Sequence, residues 1–141
     1  MSGELYAIEG LAHLSMSRGS VLHLVKDGVV KCWTAKPFVA LSEAPDVAAI
    51  AGKDTMIVVT TSSLVRIRSD KRMDTIFADA FWKGLYPNSM LIDDHGWVYI
   101  GMRQGVAKWH IGDKGESVQW MVPSREFLEE ELARFNSMVR G

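Results

Sequence analysis

Residues 92–111 read IDDHGWVYIGMRQGVAKWHI, and this stretch decides how the chain is organised. Two short apolar runs are separated by the turn MRQG, and the first run is entered through DDHG. Glycine and aspartate tolerate the positive φ angles that tight hairpin turns need. The stretch therefore predicts an antiparallel hairpin, which raises the question of whether the chain repeats it.

The hairpin belongs to a unit that recurs every 42 residues. The segment ELYAIEG at 4–10 matches DVAAIAG at 46–52, and a second step of the same length leads to NSMLIDD. Later apolar runs begin at Leu22, Leu64 and Val106, which keep the same spacing. Four short strands in about 40–45 residues are typical of a β-propeller blade.

We predict an all-β chain with a single domain over 1–141, built from three four-stranded antiparallel blades at about 4–36, 46–77 and 88–122. A short C-terminal helix and a partial strand are predicted over 123–141, with the strand at Phe135–Gly141. The predicted strands are, in chain order, Leu5–Ile8, His13–Arg18, Val21–Val25, Val29–Thr34, Val47–Ala51, Thr55–Thr60, Leu64–Ser69, Met73–Phe77, Ser89–Ile92, Trp97–Met102, Val106–Ile111 and Ser117–Val122.

The third unit resembles the short blades of bacterial two-component-regulator propellers and of NHL-type propellers. In those blades an Asp/Gly turn precedes an aromatic-rich strand that ends in glycine, and a further glycine opens the next strand. The matching residues here are Asp94, Gly96, Trp97, Gly101 and Gly105. The second unit departs from this pattern, and the resemblance implies a fold rather than an activity.

Three blades are fewer than the four to eight of a closed propeller, so the two end sheets need covering. Two chains of three blades forming a six-bladed ring would cover them, and this homodimer is the favoured prediction. The alternatives are a chain that is a piece of a longer propeller, with no selected activity of its own, and an ordinary β-sandwich whose hairpins share a spacing.

Composition excludes several classes of partner. The formal net charge is −1, which gives no bulk attraction to nucleic acid or to an anionic membrane. The single cysteine, Cys32, cannot form an intramolecular disulfide, and no apolar stretch approaches the ~20 residues of a membrane helix. A cytoplasmic protein without a nucleic-acid or membrane partner is predicted.

The innermost strands suggest a channel site. Glu4, Asp46 and Asn88 occupy the same position in the three units, and Asn136 is a possible fourth member. Oxygen ligands converging on an axis suit Ca²⁺. Calcium-dependent lactonase-type propellers arrange Glu, Asn and Asp similarly, and that resemblance implies a metal that polarises an ester carbonyl. The alternative is that these residues begin strands at a solvated rim, with no cofactor.

Aromatic and apolar residues between and after the blades suggest a surface for a partner. Phe81, Trp82 and Tyr86 lie in a connector, where they either anchor a partner or fill the gap between blades. Phe135 and Met138 lie near the C-terminus. The favoured function is a non-catalytic binding or interaction scaffold, and the rival is the calcium-dependent hydrolase.

Overall fold

The computed structural model describes residues 1, 3–9, 18–26, 33–78, 80, 82, 84–112, 118–123 and 125–140. Within these residues the chain forms eleven strands and one helix. Their bounds are β1 Leu5–Glu9, β2 Gly19–Lys26, β3 Trp33–Leu41, β4 Pro45–Ala51, β5 Thr55–Thr60, β6 Leu64–Arg68, β7 Met73–Phe77, β8 Ser89–Ile92, β9 Trp97–Met102, β10 Gly105–His110, β11 Gln119–Met121 and α1 Arg125–Arg140.

The strands form three antiparallel sheets in which chain neighbours are also sheet neighbours. The first sheet has the order β1-β2-β3, the middle sheet β4-β5-β6-β7 and the third sheet β8-β9-β10-β11. The DDHG turn forms as predicted. The Asp93 carboxylate accepts the N–H groups of His95 and Trp97, both at 2.9 Å, and Gly96 has a φ of 84°. Side-chain capping and a left-handed glycine together close this hairpin.

The middle and third sheets share one register. A shift of 42 residues carries β5 onto β9 residue for residue and preserves the partners across three strands. Only the outermost strand departs, because the turn before β11 is longer than the turn before β7. Examples of the preserved pairs are Val47–Val59 with Ser89–Gly101, Ala48–Val58 with Met90–Ile100, Val59–Leu64 with Gly101–Val106, and Met56–Ile67 with Val98–Trp109.

The first sheet departs from the predicted blade because β1 pairs directly with β2, and among the described residues this sheet has three strands where four were predicted. Of the expected strand His13–Arg18, positions 13–17 lie outside the described residues, and Arg18 is in no strand. The last strand runs to Leu41, beyond the predicted end at Thr34. It passes through Pro37, which an edge strand tolerates because its outer N–H needs no partner.

The side chains of β1 do not face as the 42-residue repeat would require. The 42-residue step aligns Ile8 with Ile50, yet Ile8 faces the following sheet, whereas Ile50 lies on the same side of β4 as Ala48 and faces the preceding sheet. Side chains alternate along a strand, so an odd shift in register exchanges the two faces. The repeat therefore relates two sheets closely, and the first sheet shares only the antiparallel architecture.

The predicted strand at the C-terminus is wrong, because α1 continues through Arg140. No glycine or proline interrupts residues 125–140, and Glu, Leu, Ala, Arg and Met favour helix. A lone strand leaves its backbone groups without partners, whereas a helix satisfies most of its own.

Two apolar clusters lie on opposite faces of the middle sheet. On β5, Met56 and Val58 pack toward the first sheet, and Ile57 and Val59 pack toward the third, with none more than 2% exposed. A strand covered on both faces reads as a continuous apolar run. The first strands of the sheets come together, since β4 contacts β1 on one side and β8 on the other.

Candidate functional site

A groove of about 410 Å³ lies between β1 and β4, and we call it the inner groove. Its lining consists of residues 4–8, residues 46–50 and Met56. Both strands are the terminal strands of their sheets, so each presents a free edge. Of the predicted channel residues, Glu4 and Asp46 line this groove together. Asn88 is not among its lining residues.

The carboxylate of Glu4 is held by groups of its own chain. The Tyr6 hydroxyl donates to Glu4 Oε2 at 2.9 Å, and the N-terminal ammonium lies 3.6 Å from the same oxygen. His23 Nε2 lies 3.6 Å from Oε1. The hydrogen bond from Tyr6 lowers the pKa of Glu4, while burial and that hydrogen bond raise the pKa of Tyr6 to about 12. Glu4 is therefore ionised at neutral pH.

The metal prediction remains a prediction. Over the described part of the chain, no group of three or more His, Cys, Asp and Glu side chains is placed to hold an ion. A calcium site in the inner groove would need further oxygens beside Glu4 and Asp46. Asn136 lies on α1, which is helical rather than the channel strand of a fourth blade. The groove brings together two carboxyl groups, those of Glu4 and Asp46.

The connector aromatics separate into two environments. Trp82 is 0% exposed in the cluster between the middle and third sheets, and its Nε1 donates to the carbonyl oxygen of Thr60 at 3.2 Å. It fills the gap between sheets and has no surface for a partner. Tyr86 is exposed, with its ring 4.7 Å from the Arg103 guanidinium carbon. Phe81 lies outside the described residues.

The C-terminal apolar residues are exposed, as a partner surface requires. Phe135 is 62% exposed and Met138 is 74% exposed, and both lie on α1. Leu132 and Val139 are similarly exposed on the same helix. Every side chain of α1 that the structure describes is exposed.

The face of the third sheet that points away from the middle sheet, its outward face, is a surface whose residues could not be identified from the sequence. Met90 and Ile92 point into the core, so Leu91, paired with Tyr99, points away and is 64% exposed. Lys108 pairs with Tyr99 from the other side, and its Nζ lies 4.4 Å from the ring centroid of Trp97. In the sequence, the signal for this surface is that β8 and β9 carry apolar residues at successive positions, so that both of their faces are apolar.

The outward face of the first sheet is also apolar. Tyr6 and Ile8 pack toward the middle sheet, so Leu5 and Ala7 face outward, where they pair with Leu24 and Leu22. Leu5 is 51% exposed, and the two β2 leucines are half-buried.

A second feature missed from the sequence is a carboxylate that joins two sheets. Glu43 follows β3 and accepts hydrogen bonds from the hydroxyls of Thr60, Ser62 and Ser63 at 2.6–2.8 Å, in the turn between β5 and β6. Burial raises the pKa of Glu43, but the hydrogen bonds from this turn outweigh burial and leave the pKa below its ordinary value. The three donors follow Glu43 by 17–20 residues, so only the folded chain brings them together.

No protein family, curated protein or solved structure matches this chain. Over the residues described, no helix is both long and apolar enough to cross a membrane.

Proposed function

We propose that this chain is a non-catalytic interaction scaffold, and that its three sheets are blades of a propeller-type ring closed by a second copy. One observation carries this proposal. The middle sheet is buried on both faces, whereas the first and third sheets each turn one apolar face outward.

The outward faces of the first and third sheets carry apolar side chains at positions whose counterparts in the neighbouring sheets are buried. Val58 and Ile100, on the second strands of the middle and third sheets, are no more than 1% exposed and face the preceding sheet. Leu22 and Leu24 hold the corresponding face of β2, and no sheet among the described residues precedes them. At the other end Tyr99 stands 42 residues after the buried Ile57, and in the described part of the chain no sheet follows it.

A second copy supplies a sheet to cover each of the two outward faces. In a two-fold dimer, the third sheet of each copy faces the first sheet of the other, which gives two identical seams. Completing the burial of a side chain such as Leu91 stabilises a seam by ~1 kcal/mol.

Dilution experiments on Leu91→Lys test the ring. Lysine at this position buries a charge in both seams, so the dissociation constant of the dimer rises at least tenfold in sedimentation velocity, since each 1.4 kcal/mol is a factor of ten. The matched control is Met73→Lys, an apolar residue 46% exposed on the middle sheet and away from both end faces. A wild-type chain that is monomeric at all concentrations, or equal effects of the two variants, contradicts the ring.

The calcium-dependent hydrolase has less support than the scaffold. The Glu4 carboxylate already accepts a hydrogen bond from Tyr6 and lies beside the N-terminal ammonium, and Asn88 does not share the inner groove with Glu4 and Asp46. In the scaffold proposal the sheets form a rigid frame, and the inner groove and the exposed loops carry recognition.

A further inference from the structure

The imidazole of His110 joins two turns at one end of the third sheet. Its Nε2 lies 2.8 Å from the carbonyl oxygen of His95, in the turn between β8 and β9, and its Nδ1 lies 3.2 Å from the amide nitrogen of Gly112, which follows β10. Glycine at position 96 leaves room for the ring, because a Cβ there would lie 3.0 Å from the Ile111 side chain and 3.3 Å from His110 Nε2. The ring therefore contacts both turns at once.

These two contacts fix the tautomer of the neutral ring. A carbonyl oxygen can only accept a hydrogen bond, so Nε2 of His110 carries the proton and donates to His95. A backbone N–H can only donate, so Nδ1 must be unprotonated to accept the N–H of Gly112. A neutral imidazole has one donor and one acceptor nitrogen, and both are used here.

Protonation of the ring affects the two hydrogen bonds in opposite ways. A charged imidazole donates from both nitrogens. The bond from Nε2 to the His95 carbonyl is kept and becomes charge-assisted, whereas the new N–H at Nδ1 points at the N–H of Gly112, so that bond is lost. Histidine ordinarily changes its charge between about pH 5 and pH 8. The contact with Gly112 therefore depends on pH in this range, and the contact with His95 does not.

Charged and titratable groups reach this end of the sheet from β9, from β10, from the turn before β9 and from the middle sheet. Those on the described residues are Tyr99, Lys108, Asp93, Asp94, His95 and Arg66. Lys108 Nζ lies 4.4 Å from the centroid of the Trp97 ring, and the His110 ring stands edge to face with the same indole at 5.0 Å. Because groups of both signs are present, the hydrogen bonds at the two ring nitrogens distinguish the charge states of His110 more sharply than the surrounding charges do.

We propose that His110 is a pH-sensitive latch, meaning that its bond from Gly112 holds the turn after β10 when the ring is neutral and releases it when the ring is protonated. One consequence rests on the ring of two copies proposed above. His110 pairs with Trp97 on the outward face of the third sheet, which that ring buries. Burying a cation is costly, so protonation opens the seam as well as the turn.

NMR spectroscopy of the full chain tests the latch. At pH 8 the ring nitrogens of His110 should show the Nε2–H tautomer, and from pH 8 to pH 5 the amide proton of Gly112 should shift with the same midpoint as the His110 ring. His110→Gln stays neutral, so its Gly112 signal should not titrate. The matched control is His95→Gln, which removes an exposed imidazole but keeps the backbone carbonyl, and there the titration of Gly112 should persist.

Two results overturn the latch. One is an Nδ1–H tautomer at pH 8, and the other is a Gly112 amide that does not follow the titration of His110. The wild-type spectra alone decide both points, even where a variant fails to fold.

Sedimentation velocity at pH 8 and pH 5 tests the consequence for the seam. The dissociation constant of the dimer should rise about tenfold or more at pH 5 in the wild type and much less in His110→Gln, since the variant has no charge to bury. Equal pH dependence in the two proteins overturns the coupling of latch and seam. A wild type that is monomeric at both pH values contradicts the ring instead, and the NMR titration still decides the latch.

Discussion

Trp82 provides the sharpest test of how the sheets are held together. The side chain is 0% exposed between the middle and third sheets, and its indole N–H donates to the Thr60 carbonyl at 3.2 Å. Trp82→Ala removes a large buried volume that two β-sheets cannot close by collapse, so we expect a loss of ~3–5 kcal/mol of unfolding free energy. That is a large fraction of the ~5–15 kcal/mol typical of a domain.

The variant Trp82→Phe separates the contribution of the hydrogen bond to the unfolding free energy from the contribution of packing. Phenylalanine retains most of the apolar contact but leaves the Thr60 carbonyl without its donor, so a loss of ~1–3 kcal/mol is expected. Urea unfolding followed by circular dichroism at one fixed protein concentration measures both variants, because the proposed dimer would make stability depend on concentration. Tyr86→Ala, in the same connector but 44% exposed, is the control, with less than ~1 kcal/mol lost.

If the Trp82→Ala variant is as stable as the Tyr86→Ala variant, the argument that Trp82 holds the middle and third sheets together is refuted. It would mean that the indole is not wedged between sheets, and the connector would regain its predicted role as a partner anchor. A Trp82→Ala variant that keeps its stability but no longer binds a partner would also indicate that the connector anchors that partner.

Three further predictions concern the turn, a glycine and the groove. Glu43→Gln removes a carboxyl group whose pKa is lower in the folded protein than its ordinary value of 4.5. The stability that the ionised carboxylate contributes is therefore present above pH 4.5 and is lost as the pH falls below it. The melting temperatures of wild type and variant should differ at pH 7 and converge toward pH 3. A constant difference would exclude the linkage. Gly19→Ala places a Cβ against the Glu9 carbonyl oxygen and the Pro45 ring and should lower the melting temperature by several degrees, whereas Gly112→Ala, with only ordinary contacts, should not; calorimetry decides. Calcium at millimolar concentration should leave the melting temperature equal to that with a chelator, and a rise would support the rival hydrolase.

The middle and third sheets were predictable because their apolar runs are bounded by turn residues. Thr55–Thr60 and Trp97–Met102 are strands with the predicted bounds. The first sheet was not predictable from the repeat, because the match between ELYAIEG and DVAAIAG compares residue types, while the facing of a strand depends on one residue of register. The Asn-Ser-Met echo at the C-terminus failed for a related reason, since three shared residues weigh less than sixteen residues of helix propensity.

The site residues were less predictable than the strands. Glu4 and Asp46, which hold equal positions in the repeat, both line the inner groove, but the metal site predicted for them stays a prediction. Equal positions in the repeat did not place Asn88 there, because the groove lies between β1 and β4 alone. Whether Trp82 is buried depends on where the connector lies against two sheets, and the contacts of Glu43 depend on donors brought near only by folding.

The three-residue strand β11 has a consequence for how the chain opens. All three of its side chains are exposed, and among the described strands it forms the outer edge of the third sheet and pairs with β10 alone. Its amide hydrogens should exchange with deuterium through local fraying, at a small fraction of the free energy of global unfolding. Those of β5, flanked by two strands and covered on both faces, should exchange only when the whole chain unfolds, so protection should increase from the rim toward the middle of the molecule.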